Sequence, residues 1–77
     1  MKEVIIYSTP TCHFCHIAKD YFNEKGVKYT EYNVLENLEK RQEMTEKSGQ
    51  MGVPVIVISN EVVVGFDEPR ISSLLGL

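Results

Sequence analysis

This sequence has no long apolar stretch, no cluster of like charges and only 2 cysteines. A membrane-spanning helix needs about 20 consecutive apolar residues, and no segment comes near that length. The apolar run at 4–8 is too short and wrongly flanked for a secretory signal. Because no run of about five like charges occurs and the formal net charge is −3, an arm that binds nucleic acid is not expected. We therefore expect a cytoplasmic protein with no membrane or nucleic-acid partner.

Length and composition predict one folded unit. The chain has 77 residues, of which 43% are hydrophobic and 25% charged, the balance of a globular protein and not of a disordered tail. A chain of this size buries roughly 60 to 65% of the surface that it exposes when unfolded, so its core must be simple. No internal repeat or linker divides it. We predict a single domain over residues 1–77.

Apolar patterning predicts four strands and three helices, with Thr11 capping the first helix and with Leu38 and Met44 facing inward from the second. Glycine and proline mark most of the boundaries. The predicted elements are a strand at 4–8, a helix from 12 to a stop at 26, a strand at 27–34, a helix at 36–47, strands at 53–58 and 61–64 in a hairpin, and a helix at 67–75. This order predicts an α/β fold, with helices on both faces of a mixed sheet.

Cys12 and Cys15 stand three residues apart at the predicted start of the first helix. Side chains at this spacing share a helix face, so the two sulfurs can approach disulfide distance. The free amide groups and the positive end of the helix dipole favour a thiolate at Cys12, which is the predicted nucleophile. Cys15 lies one turn deeper and is predicted to resolve the mixed disulfide. In a reducing cytosol such a pair is more often catalytic or metal-binding than structural.

The cysteine motif has other interpretations. Residues 12–16 form the pattern C-x-x-C-H, at which haem can be attached, but that attachment normally follows export. Zinc would need both cysteines and both histidines, which lie within five residues and could not surround one ion. We therefore expect no metal site and a partly solvated, non-catalytic His16. A non-catalytic scaffold with an incidental cysteine pair is a further alternative.

Three segments together resemble glutaredoxins, and the resemblance spans essentially the whole chain. It implies a thiol-disulfide oxidoreductase with a minimal thioredoxin fold, which has the order βαβαββα and a four-stranded mixed sheet with three helices. The element order derived above agrees with that fold. The segments are Tyr7-Ser8-Thr9-Pro10-Thr11-Cys12-His13-Phe14-Cys15, Gly52-Val53-Pro54 and Val64-Gly65-Phe66-Asp67.

The resemblance also implies a substrate site beside the cysteine pair. In glutaredoxins the matching proline is cis, so Pro54 is the predicted cis proline, and the backbone of Val53 would pair with an extended thiol substrate. Phe14 supplies an apolar lip for a partner. The residues that the resemblance assigns to substrate binding are Thr9, Phe14, Val53, Pro54, Gly65, Phe66 and Asp67.

Several positions depart from the family pattern. Thr9 stands where members commonly carry a lysine that meets a glutathione carboxylate, Gly52 replaces a threonine, and Phe66 replaces a small residue. Lys40 or Arg41 is a candidate source of the missing positive charge. These departures predict a weakened glutathione site with intact dithiol chemistry. They resemble the glutaredoxin-like redoxins that thioredoxin reductase reduces, including those that serve ribonucleotide reductase.

The predicted function is that of a monomeric electron carrier in cell redox homeostasis. It reduces protein disulfides or mixed disulfides through a redox-active disulfide between Cys12 and Cys15, and either thioredoxin reductase or glutathione is its donor. No bound cofactor is expected, and glutathione is a candidate co-substrate. The alternative is an iron-sulfur cluster carrier, because some glutaredoxins bridge a cluster between two protomers through the first cysteine and glutathione.

Overall fold

The computed structural model describes residues 2–77, so the first residue of the predicted domain lies outside it. None of the helices in this part of the chain is long and apolar enough to cross a membrane. The order of strands and helices is the predicted one. The elements are β1 (Val4–Ser8), α1 (His13–Glu24), β2 (Thr30–Asn33), α2 (Leu38–Ser48), β3 (Val55–Ile58), β4 (Glu61–Val64) and α3 (Glu68–Leu75).

The strands form one mixed sheet in the order β2-β1-β3-β4. β1 pairs parallel with β2 across the α1 connection, while the β1–β3 and β3–β4 pairs are antiparallel. β1 and β3 are therefore the central strands. Their continuous apolar runs follow from this position, since a central strand between two helical layers is covered on both faces. The predicted mixed sheet is confirmed.

Helices pack on both faces because alternate residues of a strand point to opposite sides. On one face, Ile6 of β1 lies in a cluster with Phe22 of α1 and Ile71 of α3. On the other face, Tyr7 packs in a second cluster with Met44 of α2. The helices on the first of these faces include α1, which carries the cysteine pair. The site therefore lies at the edge of a well-packed core.

Two predictions about individual helix residues were wrong. The N-cap of α1 is Cys12 and not Thr11, because the Cys12 sulfur itself accepts the N–H that a hydroxyl would otherwise receive. Leu38 is 69% exposed, whereas Met44 is fully buried as predicted. At about 100° per residue, positions six apart on a helix differ by about 120°, so Leu38 and Met44 cannot share the narrow inward face of α2.

The observed strand boundaries differ from the predicted ones where the apolar pattern of the sequence extends beyond the residues that form hydrogen bonds in the sheet. β2 starts at Thr30 and β3 at Val55, both later than predicted. The segment before β3 is a loop that contains the Val53–Pro54 peptide bond, which is cis as predicted. The loop thereby stands apart from the sheet, next to the helix that carries the cysteines.

Candidate active site

Cys12 lies between the carboxyl end of β1 and the start of α1, where its side chain is partly exposed. Its N–H donates to the carbonyl oxygen of Thr9 at 3.3 Å and closes the connecting turn. Its Sγ accepts the backbone N–H of Cys15 at 3.2 Å. The turn and the helix N-terminus thus hold a sulfur, with a donor directed at it, where a partner can reach it.

Cys15 lies one helical turn further on and is fully buried. Burial raises the pKa of its thiol to about 12, the hydrogen bond with Cys12 acts in the same direction, and the Thr9 backbone acts against both. Both cysteines are free thiols. The two sulfurs therefore differ in chemistry: Cys12 is accessible, whereas Cys15 is a neutral thiol held beneath it.

Two exposed histidines lie next to the cysteines, His13 between them and His16 directly after Cys15. The His13 ring meets Phe14 edge-on, with 5.4 Å between centroids. His16 is exposed, as predicted, and its Nε2 lies 2.9 Å from the carbonyl oxygen of Pro10. This contact ties the first turn of α1 to the loop that precedes Cys12.

A groove of about 360 Å³ runs beside the cysteine-bearing turn. It brings together six of the seven residues predicted for substrate binding, and Thr9 alone lies outside its lining. Val64 is the additional residue, which the sequence reasoning missed although it directly precedes Gly65. The groove is lined by Phe14, Val53, Pro54, Val64, Gly65, Phe66 and Asp67.

The walls of this groove are largely apolar. Phe14 and Val64 are 57% and 53% exposed, which is high for large apolar side chains outside an interaction surface. Phe66 is more buried, and its ring stands edge-on to Tyr21 with 5.6 Å between centroids. One wall is therefore fixed to α1 by aromatic packing, while Phe14 and Val64 remain free to contact a partner.

Asp67 is the one charged residue that lines the groove. Its carboxylate accepts the backbone N–H of Arg70 at 3.3 Å and caps α3. An acid at a helix N-terminus also interacts favourably with the helix dipole. Asp67 thus has a structural role that the family resemblance did not predict.

The cations proposed from the sequence do not reach the groove. Lys40 pairs with Glu43 at 2.9 Å, and its ammonium lies 4.3 Å from the centre of the Tyr32 ring. Arg41 is exposed on α2 and, like Lys40, is not among the lining residues. The positive charge missing at Thr9 is therefore not replaced within the groove.

The loop before Val53 is braced by one side chain. Gln50 receives the N–H of Gly52 on its Oε1 at 2.5 Å and donates from Nε2 to the Gly52 carbonyl at 3.1 Å. A β-carbon at position 52 would lie 2.7 Å from that Oε1. The threonine typical of the family would therefore displace the end of the Gln50 side chain from these hydrogen bonds.

No group of three or more histidine, cysteine, aspartate or glutamate side chains is placed to hold a metal ion within residues 2–77. An iron-sulfur cluster shared between two protomers would need only one cysteine from each protomer. The cluster-carrier alternative is therefore untested and stays a prediction.

Comparison with known sequences identifies the family. A sequence model of the glutaredoxin family matches residues 4–63. The chain is 41% identical over 70 residues to a glutaredoxin-like 8.6 kDa protein of Clostridium pasteurianum, covering 91% of this chain and 93% of that protein. It is 40% identical over 68 residues to glutaredoxin 3 of Escherichia coli K12, covering 88% of this chain and 82% of the relative.

Solved structures confirm the predicted thioredoxin-type fold. The thioredoxin-like protein BC3987 matches with a TM-score of 0.88 and 28% identity, over 94% of this chain and 99% of that one. A glutaredoxin from Archaeoglobus fulgidus matches with a TM-score of 0.87 and 24% identity, over 97% of this chain and 87% of that one. Fold, sequence and adjacent cysteines support a glutaredoxin-like redox function, and the chain belongs to the glutaredoxin family.

Proposed function

We propose that this protein is a thiol-disulfide oxidoreductase that passes electrons to disulfide-containing proteins through Cys12 and Cys15. The observation that carries the proposal is the pairing of a partly exposed Cys12 sulfur with a buried Cys15 thiol one helical turn away. The members of the glutaredoxin family are thiol-disulfide oxidoreductases, which supports it. The protein acts as a cytoplasmic monomer without a bound cofactor.

The reaction proceeds in two exchanges. The Cys12 thiolate attacks one sulfur of the substrate disulfide, so that a bond forms between Cys12 and the substrate and the second substrate sulfur leaves as a thiolate. Cys15 then loses its proton and attacks the Cys12 sulfur. This step forms the Cys12–Cys15 disulfide and releases the reduced substrate, whose sulfur takes up a proton. A donor dithiol reverses both exchanges and restores the free thiols.

The groove favours a protein over glutathione as the reaction partner. Glutathione carries two carboxylates, and a buried or half-buried carboxylate needs a cation or several N–H donors. The lining contains no lysine or arginine, and Lys40 is engaged by Glu43. Exposed apolar side chains at Phe14 and Val64 suit an extended apolar segment instead. A reductase of the thioredoxin reductase type is accordingly the preferred donor.

The roles of the cysteines are tested by two matched variants. With a disulfide-bonded peptide as substrate, Cys12→Ser abolishes exchange, whereas Cys15→Ser forms a mixed disulfide on Cys12 that persists and is seen by mass spectrometry. Both variants carry the same cysteine-to-serine change. Each is therefore the control for the chemistry and size of the substitution in the other. Full turnover in both variants would contradict the proposal.

The donor is identified by two coupled assays. Oxidised protein is mixed with NADPH and either thioredoxin reductase or glutathione with glutathione reductase, and NADPH loss is followed by absorbance. We expect faster reduction by thioredoxin reductase. Reduction by glutathione alone would overturn the preference for a protein donor, and failure of both systems would overturn the carrier function.

A further inference from the structure

Three polar side chains form a cluster between α1 and the sheet, next to the cysteine turn. Glu31 of β2 receives the hydroxyl of Ser8 on its Oε2 at 2.7 Å and the ammonium of Lys19 on the same atom at 2.8 Å. Ser8 is 1% exposed, and the Lys19 side chain is 19% exposed. Ser8 and Glu31 both belong to the sheet, and the hydrogen bond from Ser8 holds the carboxylate that the Lys19 ammonium contacts.

Sheet register explains why these three residues meet. In the parallel pair, Glu31 stands opposite Ile6, whose side chain lies in the cluster under α1 and α3. Ser8 is two residues after Ile6 and points to the same face. Lys19 follows Cys15 by four residues, so both side chains lie on the helix face that meets the sheet. The cluster thus lies against the helix face that carries the buried thiol.

We propose that Lys19, held by the Glu31 carboxylate, is a positioning residue whose charge assists ionisation of Cys15 during resolution of the mixed disulfide. The inference rests on the proposed function and adds a residue to that mechanism. Burial is the main influence on the Cys15 thiol and raises its pKa, whereas the positive charge of Lys19, four residues further along the helix, is a smaller influence in the opposite direction. The hydrogen bond to Glu31 is the main cause that raises the pKa of Lys19, and a Cys15 thiolate acts in the same direction.

The mixed disulfide is the state in which this charge matters. Once Cys12 is bonded to the substrate, it carries no charge and no longer receives the Cys15 proton in a hydrogen bond. The remaining influences on Cys15 are burial, the Thr9 backbone and the Lys19 ammonium. Cys15 gives up its proton, its sulfur bonds to Cys12, and the released substrate sulfur is protonated, so the step needs no further reactant.

Other ionisable groups near the cluster act on its partners. His16 of α1 helps to hold the pKa of the Glu31 carboxyl down, and Tyr29, just before β2, helps to hold the pKa of Lys19 up. The main cause of both shifts is the hydrogen bond between Lys19 and Glu31, which favours the anionic carboxylate and the cationic ammonium. The cluster therefore stays charged between about pH 6 and 9.

Quenched-flow mass spectrometry with a disulfide-bonded peptide tests the proposal by separating mixed-disulfide formation from resolution. The test variant is Lys19→Gln, which removes the charge, and Lys19→Arg keeps it. Lys25→Gln removes the other lysine near the helix, at the C-cap of α1 and far from the cysteines. Formation is measured in a Cys15→Ser background and resolution with Cys15 present, both between about pH 6 and 9.

We expect Lys19→Gln to slow resolution about threefold at each pH, because removal of the charge lowers the thiolate fraction of Cys15 and the greater nucleophilicity of a more basic sulfur offsets only part of that loss. Formation should be unchanged, Lys19→Arg should restore resolution, and Lys25→Gln should behave as the unmodified protein. An unchanged resolution rate in Lys19→Gln, or an equal slowing of formation, would overturn the role of Lys19 alone. If no mixed disulfide forms on Cys12, the proposed function itself fails.

Discussion

The sulfur of Cys12 receives the backbone N–H of Cys15 at 3.2 Å, so the residue proposed as the nucleophile is also the N-cap of its own helix. Capping by a side chain satisfies one of the amide groups left free at a helix start. The contact that caps the helix therefore also directs a donor at the Cys12 sulfur.

Alkylation should discriminate between the two cysteines. Cys15 is fully buried and the pKa of its thiol is raised to about 12, so it stays neutral and shielded at pH 8. Iodoacetamide at about pH 8 should add one label, at Cys12, since the thiolate is the reactive form. Peptide mapping by mass spectrometry locates the label. The Cys15→Ser variant should take up one label, as the unmodified protein does. Rapid labelling of the Cys12→Ser variant would show that Cys15 is not shielded by burial.

Replacement of Asp67 should lower stability through the helix cap. Asp67→Ala removes the acceptor for the Arg70 N–H and should reduce the free energy of unfolding by about 1 kcal/mol. Asp67→Asn keeps an oxygen acceptor, so most of the stability should remain. Urea denaturation followed by circular dichroism measures both. Equal losses in the two variants would show that charge, and not capping, is the main contribution.

Substitution of two phenylalanines should distinguish a contribution to stability from a contribution to substrate binding. Phe22 is fully buried, and Phe22→Ala should lower the free energy of unfolding by about 3 to 5 kcal/mol. Phe14 is 57% exposed in the groove, so Phe14→Ala should change stability by less than about 0.5 kcal/mol. The Phe14 variant should instead raise KM for a peptide with apolar residues beside its disulfide. Urea denaturation and steady-state kinetics give the two readouts, and an unchanged KM would remove Phe14 from the binding surface.

Acid should weaken the contact between α1 and β2. The Lys19 ammonium and the Ser8 hydroxyl lower the pKa of the Glu31 carboxyl below its ordinary value. This contribution to stability is therefore present above the unfolded-state pKa of about 4.3 and is lost as the pH falls through the lower folded-state value. Because Glu31 is partly exposed, its size is at most about 1 kcal/mol. Chemical denaturation from pH 7 to 3 should show a smaller acid loss in Glu31→Gln, and an identical pH profile would contradict it.

The sequence predicted the fold and the close approach of Cys12 and Cys15 well, because both depend on local patterns. Continuous β-branched runs marked β1 and β3, which are central strands, and the spacing of Cys12 and Cys15 placed them on one helix turn. Leu38 was misplaced because α2 contacts the sheet with a narrow face, and its apolar residues are too few to define that face. The spacing of apolar residues identifies each helix or strand by itself, and it does not show how one element packs against another.

The sequence by itself determined the order of elements and the placement of the cysteine pair on one helix turn, since caps, turns and side-chain spacing act over a few residues. The tertiary structure decided the groove, which joins Phe14 of α1 to Val53 and Phe66 from segments far along the chain. It also decided that Lys40 is held by Glu43, and that Lys19 meets Glu31 under the helix. These contacts depend on which strands are neighbours and in which register they pair, and no local pattern contains that information.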